Sequence, residues 1–391
     1  MNRAQKIKLF PFFMIIFETA IYLSNDMYLP SMPAIAKELS LSQMSTQNTL
    51  TFWFLGASSL QFILGPLSDS YGRKIVVVLG GVLFILSSAV CAIATTLHVL
   101  LIARFVQGAT ICSLVASYAA IHELYSTKEA IKILALMNAI TILAPAFGPL
   151  VGALIVQFAT WRDIFWFLCG LGIIGTLLIV FFMPESNDNW HDLNLKRITR
   201  DYLEIFTNME FMIPSIGYCL LFAIFFGWMF AAPFLMIEKY ATTNLYYGLS
   251  QAFIFGCFLI GAKLTDHMLL HHNLKKLIWF ALLVSILGVI LFLLNALLVD
   301  KILYSIIAMM VISTGTSMLF GPVNRIAIEA SAHPMGRRTA VFSVLISLSG
   351  ALTGWSLSVL NINSLISLSV LFIICISGAS LSILFIKIND A

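Results

Sequence analysis

Residues 9–29 read LFPFFMIIFETAIYLSNDMYL, an apolar stretch long enough to cross a bilayer as a helix, and it carries two acids, Glu18 and Asp26. A carboxylate inside a span costs roughly 2.5–3.5 kcal/mol on insertion scales, so two of them in one segment need a compensating role. Eight residues separate the pair, a rotation of about 80° around a helix, so both can face one interior. Glu18 lies deeper, among Ile16, Phe17 and Ile21, and is expected to be the more desolvated. Asp26, beside Ser24 and Asn25, is expected nearer an outer mouth and better hydrated. The acids can be neutral hydrogen-bonded packing groups or groups that handle protons or cations; their cost favours the second.

Working outward, the rest of the chain has the same character. Hydrophobic residues make up 60% of the 391 and charged residues only 10%, against about 25% charge in soluble domains. Apolar runs recur at 9–29, 47–68, 75–94, 99–121, 133–156, 164–182, 212–236, 247–265, 277–297, 302–324, 340–360 and 365–386. Each can span a membrane, which predicts an all-α integral membrane protein of twelve helices. The opening MNRAQKIK and its apolar continuation have the outline of a signal peptide. Glu18 breaks the hydrophobic region and no small-residue cleavage site precedes Asp26, so an uncleaved first helix is expected.

Orientation follows from the cations. With the N-terminus inside, 17 of the 22 Lys and Arg fall on the inner side. Only Lys37, Arg162, Lys239 and Lys301 fall outside, and Arg104 lies within the fourth run. Both termini are therefore expected in the cytoplasm. The net charge of +4 reflects topology, and no basic-aromatic patch points to nucleic acid.

The residues exclude several chemistries. The six cysteines all sit within apolar runs, without a CxxC pair or a histidine partner, and read as packing residues. His271-His272 has no carboxylate or thiol neighbour in sequence, so no metal is expected. No P-loop, G-x-S-x-G or H-E-x-x-H is present, so neither ATP as direct energy source nor an enzyme is expected, and no cofactor is implied.

The long polar connection from Pro184 to Phe211 divides six runs from six. It predicts an N-terminal bundle (1–183), a cytoplasmic linker (184–211) and a C-terminal bundle (212–391). Within it, Asp192–Phe206 has the pattern of a surface amphipathic helix, with Leu193, Ile198, Tyr202 and Ile205 on one side. A faint repeat joins the halves: Gly65-Pro66-Leu67-Ser68-Asp69 after run two, and Gly261-Ala262-Lys263-Leu264-Thr265-Asp266 after run eight.

Four motifs then carry a resemblance. GPLSDSYGRK (65–74) resembles the loop between spans two and three of the major facilitator superfamily, with Ser70 where Arg is frequent. Gly65 suits close helix approach and Gly72 a tight turn, while Asp69 can meet a helix N-terminus. LLIARFVQG (100–108) is similar to the buried-arginine motif of proton-coupled members, centred on Arg104. APAFGPLVGA (144–153) resembles the antiporter motif of drug-exporting members. Its Ala144, Gly148 and Gly152 form a smooth face, and Pro145 and Pro149 remove backbone donors. NDMYLPSMP (25–33) resembles the end of helix one in twelve-span drug:proton antiporters of the Bcr/CflA branch.

That resemblance implies two six-helix bundles and a proton-coupled exporter of lipophilic small molecules working by alternating access. Glu18 and Asp26 would exchange protons, and Arg104 would support proton release. Tyr22, Asn25, Asp26, Tyr118, Met137 and Asn138 would contact substrate. Gly65, Asp69, Gly72 and Arg73 would gate the cytoplasmic side. Small-molecule substrate, protons and the bilayer are the implied partners of a monomer. In the second half no motif transfers; Trp228, Met229, Phe230 and Phe253 are offered as pocket walls on residue type alone. A dedicated exporter of one metabolite or siderophore remains open. A passive facilitator has no need of buried acids, and a sensor would need a larger linker domain.

Overall fold

In the computed structural model the described residues are 3–187, 195–360 and 364–386, and among them every regular element is helical. The chain divides into two units, Met1–Arg197 and Ile198–Ala391, at a point inside the polar connection.

In the first unit α1 runs Arg3–Asp26, followed by a 3-10 turn at Leu29–Ser31 and α2 (Met32–Glu38). Next come α3 (Gln43–Ser59), α4 (Gln61–Tyr71), α5 (Arg73–Ile93) and α6 (Leu97–Ala109). A 3-10 turn, Thr110–Ser113, joins α6 to α7 (Leu114–Leu124), and α8 (Thr127–Phe158) and α9 (Trp161–Phe182) complete the unit. Side chains begin these helices where the backbone donors need partners. Ser42 accepts from the Ser45 amide, while Ser126 with Glu129 and Thr160 with Asp163 form capping boxes.

By length and composition ten described helical stretches can span a membrane, and the α3–α4 pair, bent by 43°, makes an eleventh. The expected run 133–156 falls on the 32-residue α8, whose apolar part is Leu143–Phe158. The α3–α4 bend has no proline at Leu60. Instead Ser58 and Ser59 donate to the carbonyls of Leu55 and Gly56, and Gln61 Nε2 and Cys112 Sγ both donate to Ala57, so the carbonyls before the break stay satisfied.

Glycines set the closest packing. Gly56 on α3 lies against the Phe105 carbonyl of α6, and Gly108 on α6 against the Trp53 carbonyl of α3. A side chain at either position would push the helices apart. Outward faces are apolar, as at Leu83 and Leu86 on α5 and Ile174 and Leu177 on α9, which suits lipid contact and would be costly in water. At the end of the unit bearing α2, Glu38 accepts from Trp161 Nε1 at 2.6 Å and pairs with Arg162 at 2.7 Å.

The second unit contains α10 (Leu195–Thr207, whose first residues precede the division), α11 (Met209–Pro233), α12 (Asn244–Leu269) and α13 (Leu274–Leu294). It ends with α14 (Ile302–Glu329), α15 (Met335–Val359) and α16 (Leu365–Leu384). The expected surface helix is α10; residues 192–194 lie outside the described residues. It is not a free tether. Asp201 pairs with Arg337, Glu204 with His333 at 3.4 Å, and Asn208 Nδ2 donates to the Ala330 carbonyl at 3.2 Å. Small residues again set the contacts: Gly261 against Thr314, Gly288 against Ile312, and Gly315 against Ser285. Between α13 and α14, Asp300 takes a left-handed conformation (φ 49°), and the Tyr240 hydroxyl, with Lys239, holds its carboxyl below the ordinary range.

Candidate functional site

Every buried charged side chain among the described residues lies in the first unit: Glu18, Asp26 and Arg104. Glu18 is 0% exposed. The Tyr118 hydroxyl of α7 donates to its Oε1 at 2.6 Å, and its Oε2 has no hydrogen-bond partner among the described residues. Tyr22, one turn along α1 from Glu18, reaches the same Tyr118. These three residues therefore form one chain of polar groups inside the bundle.

Asp26 is 4% exposed, so the expected hydrated position near a mouth is not found; it is buried almost as deeply as Glu18. After Asp26 the helical path runs on through Leu29–Ser31 and α2 to Glu38, so Asp26 lies well short of its end, and α8 packs against the acid at Gly148. Asn25 Nδ2 donates to Asp26 Oδ1 at 3.2 Å. Among the described residues no salt bridge reaches either acid.

Arg104 is 0% exposed and lies just past the middle of α6, so it does not snorkel to an interface. Its Nη1 donates to the Ser24 carbonyl at 2.8 Å and to Gln107 Oε1, and Gln107 in turn donates to Ser88 Oγ. The guanidinium lies over the Tyr28 ring, 4.2 Å from its centroid. Nε and Nη2 have no hydrogen-bond partner among the described residues. Arg104 thus holds the carbonyl end of α1, two residues before Asp26. The guanidinium keeps donors free in a dry interior, where they are costly unless a carboxylate or water can reach them.

The antiporter segment of α8 packs on that same turn. A β-carbon on Gly148 would lie 2.8 Å from Asp26 Cβ, and one on Gly152 would strike the Met27 carbonyl. α8 continues through Pro145 and Pro149. Met137, on the same helix, is fully buried, Tyr22 and Tyr118 are half-buried and Asn25 is buried. The side chain of Asn138 lies outside the described ones.

At the other end of the unit, Arg73 pairs with Asp69 and with Glu123 at 2.9 Å, and donates to Ser68 Oγ at 2.6 Å. Gly72 has φ 101°, as a tight turn there requires. Two expectations change. Gly65 has only Val115 Cγ1 nearby, at 3.8 Å, so no close helix approach depends on it. The N-terminus of α5 is met by Glu185, not by Asp69.

In the second unit, Trp228 is buried and its Nε1 donates to Gln251 at 3.1 Å, Phe230 is buried, and Met229 is half-buried. Phe253 is 62% exposed, turned about 200° around α12 from Phe255, and is not a wall of the interior. The aromatic wall that is present was not among the expected residues. Tyr218, Phe222, Phe225, Phe255, Phe258 and Phe320 form a continuous ring cluster, with Phe222 and Phe320 centroids 4.4 Å apart. In the sequence, the helical spacings of 218, 222 and 225 and of 255 and 258 marked it.

A family model described as Major Facilitator Superfamily matches residues 14–354. The chain belongs to this superfamily. Its fold agrees: the D-xylose-proton symporter structure superposes with a TM-score of 0.72 over 98% of each chain, at 16% identity. Among curated relatives, the multidrug resistance protein MdtM of Salmonella typhimurium is 25% identical over 340 residues, 86% of this chain and 82% of its own. The chloramphenicol resistance protein CraA of Acinetobacter baumannii is 28% identical over 348 residues, 86% of this chain and 82% of its own. The multidrug transporter MdfA of Yersinia pestis is 31% identical over 255 residues, 65% of this chain and 62% of its own. Superfamily membership makes this a multi-pass membrane protein of the major facilitator fold, in a family that moves small molecules.

Proposed function

We propose that this chain is a proton-coupled exporter of lipophilic small molecules, cationic ones included, working by alternating access in a bacterial inner membrane. The observation that carries the reading is the pair of buried acids on α1, neither in a salt bridge among the described residues, with an incompletely partnered arginine of α6 bound to the last turn of that helix. A dry carboxylate without a cation is satisfied by a proton or by a cationic ligand. The two then compete: a substrate entering from the cytoplasm displaces the proton, and a proton from outside displaces the substrate. MdtM, CraA and MdfA, whose names describe drug resistance or multidrug transport, support lipophilic drugs as the substrate class.

Tyr118 keeps Glu18 oriented towards the interior, and Arg104 fixes the backbone beside Asp26. The driving force suffices. One proton moving through about 100 mV supplies roughly 2.3 kcal/mol, enough for roughly a 50-fold gradient of a neutral compound. The cation distribution along the sequence supports cytoplasmic termini and, with them, a gate formed by Asp69, Arg73 and Glu123 at the cytoplasmic end. The protein is proposed to act as a monomer, with no cofactor. The test is transport in inverted vesicles: a lipophilic cation should be taken up only while the lumen is acidic, with proton efflux on substrate addition. Uptake indifferent to the proton gradient would refute coupling.

A further inference from the structure

The turn between α4 and α5 is held by a short strap that follows α9, a helix packed against α5. After α9 the chain passes through Pro184 and presents three consecutive polar residues to the gate cluster. Glu185 Oε1 accepts from the Arg73 amide at 2.9 Å and Oε2 from the Lys74 amide at 3.1 Å, a carboxylate seated on the first turn of α5. Ser186 Oγ donates to Glu123 Oε2 at 2.6 Å, and Asn187 Nδ2 donates to the Asp69 carbonyl at 2.6 Å. A β-carbon on Gly72 would lie 2.7 Å from Glu185 Oε2, so the seated carboxylate helps make glycine necessary there. Each member of the Asp69–Arg73–Glu123 cluster is thus touched by one strap residue.

We infer that Glu185 is a positioning residue of the gate: it fixes the backbone of Arg73 so that the guanidinium can bridge Asp69 and Glu123, and through Ser186 and Asn187 it ties that bridge to the start of the linker. The inference rests on the transport reading for its functional consequence but not for its structural one. The hydrogen bonds of the strap go to the turn at Arg73, to Glu123 and to Asp69, groups outside the proposed proton site, so its loss changes the rate of interconversion and leaves ligand affinity alone.

Glu185→Gln keeps size and one acceptor while removing the charge that strengthens both amide contacts. It should slow transport about tenfold, the scale of a lost charge-assisted hydrogen bond. Equilibrium binding of tetraphenylphosphonium in detergent should stay within about twofold, since the pocket is untouched. Ser186→Ala should act in the same direction and less. Because Glu185 works through Arg73, Glu185→Gln added to Arg73→Ala should slow transport no further than Arg73→Ala alone. Multiplicative losses, or a fall in binding that matches the fall in rate, would overturn the inference. Amide exchange over residues 72–76 in lipid vesicles needs no substrate and should rise about tenfold in Glu185→Gln. Exchange unchanged from wild type would refute the strap. Raised exchange in a protein that shows no proton-linked transport even as wild type would uphold the strap and remove the exporter reading instead.

Discussion

The carbonyl oxygen of Met27 occupies the space that a β-carbon on Gly152 would take. One turn earlier on α8, Gly148 stands in the same relation to Asp26. The double-proline segment of α8 is therefore the bed on which the last turn of α1 lies, and it fixes where the second acid can be.

Substitution at these glycines should be costly in proportion to that contact. Gly152→Ala must displace backbone, not a flexible side chain, and should destabilise the protein by about 1–3 kcal/mol. Gly170→Ala, in α9 with nothing within 4 Å of the added carbon, should be neutral or slightly stabilising. Thermal melting of both variants in one detergent checks the contrast. Equal melting points would mean that α1 and α8 are not in close contact in the membrane protein.

The two acids should not be interchangeable. Glu18→Gln preserves the Tyr118 contact geometry but removes the counter-charge, so export of a lipophilic cation should fail while some neutral compounds are spared. Asp26→Asn, at the turn held by Arg104 and Gly148, should weaken export of both kinds if it carries the obligatory proton. Resistance and vesicle uptake for one cation and one neutral compound, measured in each variant, would decide the assignment.

Much of this arrangement was legible in the residues, for a physical reason. A bilayer demands about twenty apolar residues per helix, so spans announce themselves, and the cost of Glu18 and Asp26 in such a run makes them conspicuous. What depends on tertiary contact was not legible. The bend at Leu60 has no proline and arises from hydroxyls turning back on the backbone. Asp26 is buried because the helical stretch runs on past the apolar run to Glu38 and α8 packs against the acid at Gly148, neither of which the local sequence shows. Glu185 lies 112 residues from Arg73, and nothing in local sequence links them. Phe255 and Phe253 differ by two positions, yet only the first meets Phe225.

Asp69→Asn should slow turnover severalfold with little change in equilibrium binding. It removes one partner of Arg73 at the gate, while Glu123 remains at 2.9 Å. Transport rates in vesicles set beside detergent binding isotherms separate the effects. A proportional loss of affinity would place Asp69 in the binding site.

Arg104→Lys should fail where a mere charge would suffice. A lysine cannot at once reach the Ser24 carbonyl, bond Gln107 and stack over Tyr28. Loss of one buried charge-assisted contact should lower transport by about tenfold or more. Full activity with lysine would show that only the positive charge matters there.

The central claim is that substrate and proton compete for the acids of α1, and proton release on binding measures it without transport. Purified protein in weakly buffered detergent near neutral pH, titrated with tetraphenylphosphonium, should release protons in step with cation binding. Affinity for the cation should fall as pH is lowered, because protonation removes the charge that holds it. The Glu18→Gln/Asp26→Asn protein should release none. Binding without proton release in the wild type, or equal release from the double variant, would contradict the account.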